Sequence, residues 1–252
     1  MKNVLLAFTV LVFIAGCAGA PPEDPLEPHN RAVFSFNDKL DKNVMKPVAE
    51  RYEAVTPVLV RTWVSNFFGN LQDPWIAVNS LLQGKVTEAV TGLMRFLFNS
   101  TMGLGGLLDI STEAGLPKHD EDFGQTLGAW GVKEGYFIVL PFFGPTTLRD
   151  ASAMPLDVAA TSLWSRSYGK SIIKDSKVRY GLSGLKVINA RARHLGAERT
   201  LEEGTLDKYR FARDLYLQQR RFRVHDGNPP LGNNDFDLDE DFDAPLESGE
   251  EQ

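Results

Sequence analysis

Cysteine and histidine are scarce in this chain of 252 residues, which has one of the former and four of the latter. A lone Cys17 excludes an internal disulfide and leaves no set of thiolates for a metal. His29, His119, His194 and His225 are far apart in sequence. His119 precedes Asp120, Glu121 and Asp122, yet a polar loop accounts for those residues as well as a metal site does. No G-x-S-x-G, H-E-x-x-H or Walker A sequence occurs, so the usual motifs for acyl hydrolysis, zinc proteolysis and nucleotide binding are missing. Gly103 to Gly106 (GLGG) lacks the third glycine and the βαβ setting of a dinucleotide site. Asp235, Asp237 and Asp239 resemble the start of a calcium loop, but Glu240 and Leu246 stand where such a loop needs Gly and Glu. The residues call for no metal, no cofactor and no enzyme.

Charge of one sign is also lacking in the body of the chain. The formal net charge of −6 is concentrated in Asp226 to Gln252, which holds ten acidic residues and no Lys or Arg. Without that tail and Lys2, 26 basic residues face 23 acidic ones, a body of about +3. This balance does not suggest nucleic-acid binding, which needs a basic face and a matching motif. Arg166 to Arg223 is a local exception, with fifteen Lys/Arg against six Asp/Glu. A solvated helix face is the first reading of that run, and a surface for anionic headgroups or an acidic partner is the second.

Long apolar runs are few. Lys2 followed by the apolar stretch Val4 to Ala15 has the form of a secretory signal and is too short for a spanning helix. It ends Ile14-Ala15-Gly16-Cys17, which resembles the bacterial lipobox. Residues 1–16 are expected to be the signal, 17–28 a Pro-rich tether, 29–225 one folded domain and 226–252 a disordered acidic tail.

Glycine, proline and aromatics gather instead in Asp122 to Asp150. Gly124, Gly128, Gly131, Gly135, Gly144, Pro141 and Pro145 punctuate Phe123, Leu127, Trp130, Tyr136, Phe137, Leu140, Phe142 and Phe143. Neither a regular helix nor a strand is specified here, and the expectation is a compact, irregular apolar wall. Gly124/Gly128 and Gly131/Gly135 fit G-x-x-x-G, a weak signal that chance in a Gly-rich loop also explains. Arg149-Asp150 closes the stretch and reads as a structural ion pair.

The other segments are helical. Val33, Phe36, Leu40 and Val44 recur on one side of an amphipathic helix that Pro47 interrupts. Thr56-Pro57 is expected to supply the N-cap and first residue of the next. Three helices then carry narrow polar stripes: Pro57 to Phe68 (Arg61, Thr62, Ser65, Asn66), Pro74 to Gln83 (Asn79, Ser80, Gln83) and Val86 to Asn99 (Thr87, Thr91, Arg95, Asn99). The rest of each is mostly apolar, the inverse of a surface helix. On the residues alone these are central helices of an all-α core. Thr161 to Leu195 and Thr205 to Phe222 complete the helical set.

Several ordered blocks carry a family resemblance: DPLEPHNRAVFSFN at Asp24, NFFGNLQDP at Asn66, VNSLLQGK to RFLFNSTMGLGGLLD between Val78 and Asp109, and FGQTLGAWGV with LPFFGPTTLRD. Together they resemble the MlaA (VacJ) family of outer-membrane phospholipid-transport lipoproteins, over about Asp24 to Asp150. Pro28-His29 departs from the Gly-Phe usual there, which bears on how the first helix begins. The resemblance implies cleavage before Cys17 and its acylation, and Ala18 then favours the outer membrane. It implies a single, mostly helical, ring-like domain embedded in one leaflet, facing the periplasm. Phospholipids would pass through it to a periplasmic carrier (MlaC in that system), in company with a trimeric porin. With the anchor, it turns the apolar helix faces towards lipid and the polar stripes inward, with Trp63 and Trp75 near an interface. On that view Phe123, Leu127, Trp130, Phe137, Leu140, Phe142 and Phe143 wall a lipid path, and Arg61, Asn66, Asn79, Thr91 and Arg95 meet headgroups. A porin-bound scaffold without transport is the alternative, and a phospholipase a weaker one.

Overall fold

The computed structural model describes residues 24–172, 175–202 and 207–230, with side chains described outside 162–172, 176, 179 and 197–202. The signal segment, Cys17, most of the tether and residues 231–252 lie outside the described residues. The chain forms α1 (Glu27–Leu40), a π-helical turn (Asp41–Met45), α2 (Lys46–Val55), α3 (Val58–Leu82), α4 (Val86–Thr101) and the short α5 (Ile110–Glu113). There follow α6 (Phe123–Ala129), an antiparallel hairpin of β1 (Phe137–Leu140) and β2 (Gly144–Thr147), α7 (Leu148–Ile172), α8 (Ser176–Glu202) and α9 (Lys208–Val224). The architecture is all-helical apart from that hairpin.

Folding begins earlier than the tether boundary at Pro28 suggested. Pro28 sits in the first turn of α1, where a missing N–H costs nothing and a fixed φ suits the helix. Asp24, 1 % exposed, accepts hydrogen bonds from Asn30 Nδ2 at 3.2 Å and from the Tyr209 hydroxyl. Pro47 does not end the helical path either. It occupies the start of α2, and a π turn ahead of it absorbs the lost donor. Phe36 of α1 and Val44 of the π-helical turn, expected on one apolar side, are exposed, while Val33 and Phe34 pack inward.

The glycine–aromatic stretch is more regular than its composition indicates. Phe137 and Val139 are buried while Ile138 and Leu140 are half-buried, the alternation of a strand. The tip is tied to α1: Asn37 Nδ2 donates to Leu140 O at 2.9 Å, and Phe142 N–H donates to Asn37 Oδ1 at 2.9 Å. That clamp holds Phe142 at φ +68°, a left-handed conformation that a bulky residue rarely adopts.

Asn30 fastens the base of the same hairpin. Fully buried, it donates to Phe137 O at 3.0 Å and accepts from Val139 N–H at 2.9 Å. Beneath lies one small core of Phe137, Val139 and Tyr209, flanked by Val33, Phe34, Tyr216 and Leu217; a second joins Ala49, Tyr52, Ala192 and Leu195. Asn30→Ala leaves a buried N–H and C=O without partners and is expected to cost about 2–4 kcal/mol. Urea titration in detergent checks it, and an unchanged midpoint would mean the clamp is dispensable.

Candidate functional site

The segments read as two helices between Pro57 and Gln83 form one, α3, with Pro74 inside it. Packing against α4 on one side and α7 on another outweighs the helix-breaking tendency of an interior proline. Thr56 takes an extended conformation before Pro57 and caps α2, so the N-cap of α3 is Pro57 itself. Gly92 lets α4 approach closely, since a Cβ there would stand 3.2 Å from Ala77 Cβ.

The α3–α4 pair is inside out. Val58, Leu59, Val60, Val78, Leu81 and Leu82 of α3 are exposed, as are Val86, Val90, Leu93, Met94, Leu97 and Phe98 of α4. Asn70, Asp73, Asn79, Ser80, Arg95 and Asn99 of the same two helices are buried. Central burial of both helices, expected from the residues alone, is therefore not what the chain does. The narrow polar stripes turn inward, and the wide apolar faces turn out. No described helix is long and apolar enough to cross a membrane.

The inward stripes reach a cavity of about 730 Å³ between α3, α4, α8 and the loop after α5. Arg61, Thr62, Ser65, Asn66 and Gln72 line it from α3, Arg95 and Asn99 from α4, and Lys186, Asn189 and Arg193 from α8. Arg61 Nη1 donates to Glu53 at 2.6 Å, and Asn66 Nδ2 to Leu107 O at 3.1 Å. Three buried polar atoms at this cavity, Arg61 Nε, Arg95 Nε and Asn70 Oδ1, have no hydrogen-bond partner among the described residues. Such groups are costly unless something polar enters beside them.

Arg95, 2 % exposed, organises one wall. Its Nη2 donates to Asp109 Oδ1 and Oδ2 at 2.8 and 2.9 Å, and its Nη1 to Thr112 Oγ1 at 3.0 Å. Burial pushes the Asp109 carboxyl up, but hydrogen bonds from Thr112, Arg95 and Asn99 outweigh it and hold the pKa at about 2, below its ordinary 3.8. The stability this provides is complete above about pH 4 and is lost as pH falls through about 2. After discounting for partial exposure, Asp109→Asn is expected to remove about 1–2 kcal/mol of acid-dependent stability. Unfolding midpoints followed from pH 5 to 2 check this, and an unaltered acid profile in the variant would contradict it.

Of the five stripe residues proposed for headgroups, Arg61, Asn66 and Arg95 line the cavity. Asn79 does not: it accepts from Thr126 Oγ1 at 2.9 Å and binds α3 to α6. Thr91 donates to Thr87 O of its own helix at 2.8 Å. None of the seven residues expected to wall the path lines this cavity. Phe137 is in the core, Phe123 packs edge-on against Trp130, and Leu127 and Leu140 are half-buried. Trp130, Phe142 and Phe143 are exposed, and Trp130 Nε1 donates to Leu82 O at 2.9 Å. Trp75 serves packing: its Nε1 donates to Asp157 Oδ1 of α7 at 2.8 Å.

The Arg149–Asp150 pair, 2.9 Å apart, belongs to a larger buried network. Arg220 of α9 donates from Nη1 and Nη2 to both oxygens of Asp122, each at 2.6 Å, and from Nε to Asp150 Oδ2 at 2.8 Å. Tyr216 adds its hydroxyl to Asp150 Oδ2 at 3.0 Å. Burial opposes ionisation of Asp122 and Asp150, yet Arg220 beside both keeps them below the usual carboxylate range. Gly124 is required by this network, since a Cβ would stand 2.5 Å from Arg220 Nη2 and from Asp150 Oδ1. Gly128 is crowded as well, since a Cβ there would stand 2.7 Å from Val224 Cγ1 of α9. The α8 lining and Arg220 escape the sequence reading, although Lys186, Asn189 and Arg193 recur at helical spacing within the basic run.

The family model described as MlaA lipoprotein matches residues 22–223. The intermembrane phospholipid transport system lipoprotein MlaA of Escherichia coli (strain K12) is 34% identical over 241 residues, spanning 90% of this chain and 89% of its own. The protein of that name from Haemophilus influenzae is 30% identical over 237 residues, 90% and 92% of the two chains. An uncharacterized protein of Rickettsia felis is 41% identical over 127 residues, about half of each. A solved structure described as "Structural basis for maintenance of bacterial outer membrane lipid asymmetry" superposes with a TM-score of 0.65 at 32% identity, covering 80% of this chain and 98% of its own. With its inverted α3–α4 pair set over a polar cavity, the chain belongs to the MlaA lipoprotein family.

Proposed function

We propose that the protein is an acylated outer-membrane lipoprotein, anchored through Cys17, that carries phospholipids from the outer leaflet through the cavity between α3, α4 and α8. One observation carries this reading: α3 and α4 expose apolar side chains outward and gather polar ones around a cavity of about 730 Å³. Apolar side chains exposed in such number are unfavourable in water and favourable against acyl chains. Since no described helix is both long and apolar enough to cross a membrane, these two lie within one leaflet, with the cavity open to the periplasm. Exposed Phe142 and Phe143 add an apolar tip that meets lipid or a partner. The headgroup travels along Arg61, Asn66 and Arg95 and leaves for a soluble, MlaC-like periplasmic carrier, with a trimeric porin holding the protein in place. The action maintains lipid asymmetry, and any energy comes from partners or from the lipid gradient.

The test uses acylated protein in liposomes containing fluorescent phospholipid, with carrier outside. Wild type is expected to raise transfer above protein-free liposomes, and Thr62→Trp to lower it at least about fivefold while the melting temperature is kept. Thr62 lines the cavity, and its hydroxyl bonds only its own helix among the described residues, so the change fills space without breaking the fold. No transfer in either protein, porin present, would leave a membrane-tethered scaffold.

A further inference from the structure

We propose that the cavity selects net-anionic phospholipids, seating the headgroup phosphate on Lys186 and Arg193 of α8 beside Arg61 of α3. This rests on the lipid-conduit reading above and adds the class of headgroup. Lys186, Asn189 and Arg193 share one face of α8, and Arg61, Ser65 and Phe68 one face of α3, by their helical spacing. The two faces are locked together: Asn189 Nδ2 donates to Ser65 Oγ at 2.8 Å, and its Oδ1 accepts from the Tyr52 hydroxyl at 2.9 Å. Lys186 Nζ lies 6.0 Å from the Phe68 ring centroid, and both residues line the cavity.

The charges around the cavity do not balance. Arg61 is paired with Glu53, Arg95 with Asp109, and Lys118 with Asp73. Asp120, a carboxylate on the lining, is paired with Arg223 at 3.1 Å. Lys186 and Arg193 have no carboxylate partner among the described residues, so the excess is cationic. Burial pushes the Lys186 ammonium pKa down, as expected for a charge taken from water without a counter-ion. Arg61 contributes a buried Nε–H without a partner. A phosphate supplies the counter-charge that Lys186 and Arg193 lack. The ammonium of an ethanolamine or choline headgroup finds no spare carboxylate here and is repelled by the same two cations, so a net-anionic lipid is favoured over a zwitterionic one.

The experiment is native mass spectrometry of the full-length acylated protein in detergent micelles holding equal amounts of phosphatidylglycerol and phosphatidylethanolamine. Bound phosphatidylglycerol is expected to be enriched about tenfold over the micelle ratio, consistent with two basic residues acting on one anion. In the Lys186→Gln/Arg193→Gln variant the enrichment falls to about twofold or less, both changes keeping a polar side chain and a similar helix propensity. Lipid bound in the micelle ratio by wild type, or enrichment unchanged in the variant, overturns the selectivity alone. Wild type that binds no phospholipid overturns the conduit reading with it. Inorganic phosphate at millimolar concentration is expected to leave the lipid in place, and its displacing the lipid would assign the site to free phosphate instead.

Discussion

Arg220→Ala is expected to lower the unfolding midpoint of the detergent-solubilised protein by about 6–20 °C. Arg220 is the only described cation that contacts both Asp122 and Asp150, through four hydrogen bonds of 2.6–3.0 Å. Its side chain is 8% exposed and that of Asp150 is 7% exposed, so solvent does little to screen the loss. Removing one member of a buried ion pair costs about 3–5 kcal/mol, because the remaining charge is left uncompensated. For a domain of this size each kcal/mol corresponds to about 2–4 °C. The damage spreads, since Asp122 caps α6 through Gln125 N–H and Asp150 lies in the first turn of α7. Arg220→Ala combined with Asp122→Asn is expected to recover part of the loss, since among the described residues Asp122 has no other cation, whereas Asp150 keeps Arg149. A midpoint within about 2 °C of wild type would show that the network is not what closes α9 onto α6 and α7.

Leu93→Glu with Leu97→Glu is expected to abolish liposome binding of the unacylated Cys17→Ser protein, which otherwise floats with the vesicles. Both leucines are about half exposed, at 48% and 51%, one turn apart on the outward face of α4. Each charge placed near the middle of hydrocarbon costs about 2.5–3.5 kcal/mol, so two together exceed what a few exposed apolar residues return. The same change leaves the fold intact, because neither side chain is buried within the protein. It also lowers the detergent needed for solubility, the opposite of what damage to a core produces. Flotation equal to that of the parent would mean that this face does not enter lipid.

The division of α3 and α4 into a narrow polar stripe and a wide apolar face is legible in the sequence, because helical spacing alone separates Arg95 and Asn99 from Val90, Leu93 and Leu97. Which side faces out is not legible there: a buried helix and a lipid-facing one share the same composition, and only the exposed side chains decide. The hairpin escapes because its strands are four residues long, Pro145 interrupts the second, and Asn37 and Asn30 supply its clamps from about 100 residues away. Pro74 misleads for a related reason, since a local rule about proline yields to packing on two sides of α3. The aromatics between Phe123 and Phe143 read as a channel wall on grounds of composition. The chain spends Phe137 on its core and sets Phe142 and Phe143 at an exposed turn. The polar lining is partly legible: Arg61, Asn66 and Arg95 reach the cavity, whereas Asn79 and Thr91 of the same stripes do not. Its α8 half is hidden in a basic run that a solvated helix face explains equally well.

A phospholipid is expected to occupy the cavity bounded by α3, α4 and α8. The most direct measurement places a photoreactive benzoylphenylalanine at Gln72 within the cavity and, in a second protein, at Tyr209 in the core. Irradiation of acylated protein purified with its native lipid, followed by mass spectrometry, reads the adducts. Phospholipid adducts at position 72 and none at 209 are the expected result. No lipid adduct at position 72, while a third protein with the probe at Val90 on the outer face gives one, would contradict the conduit.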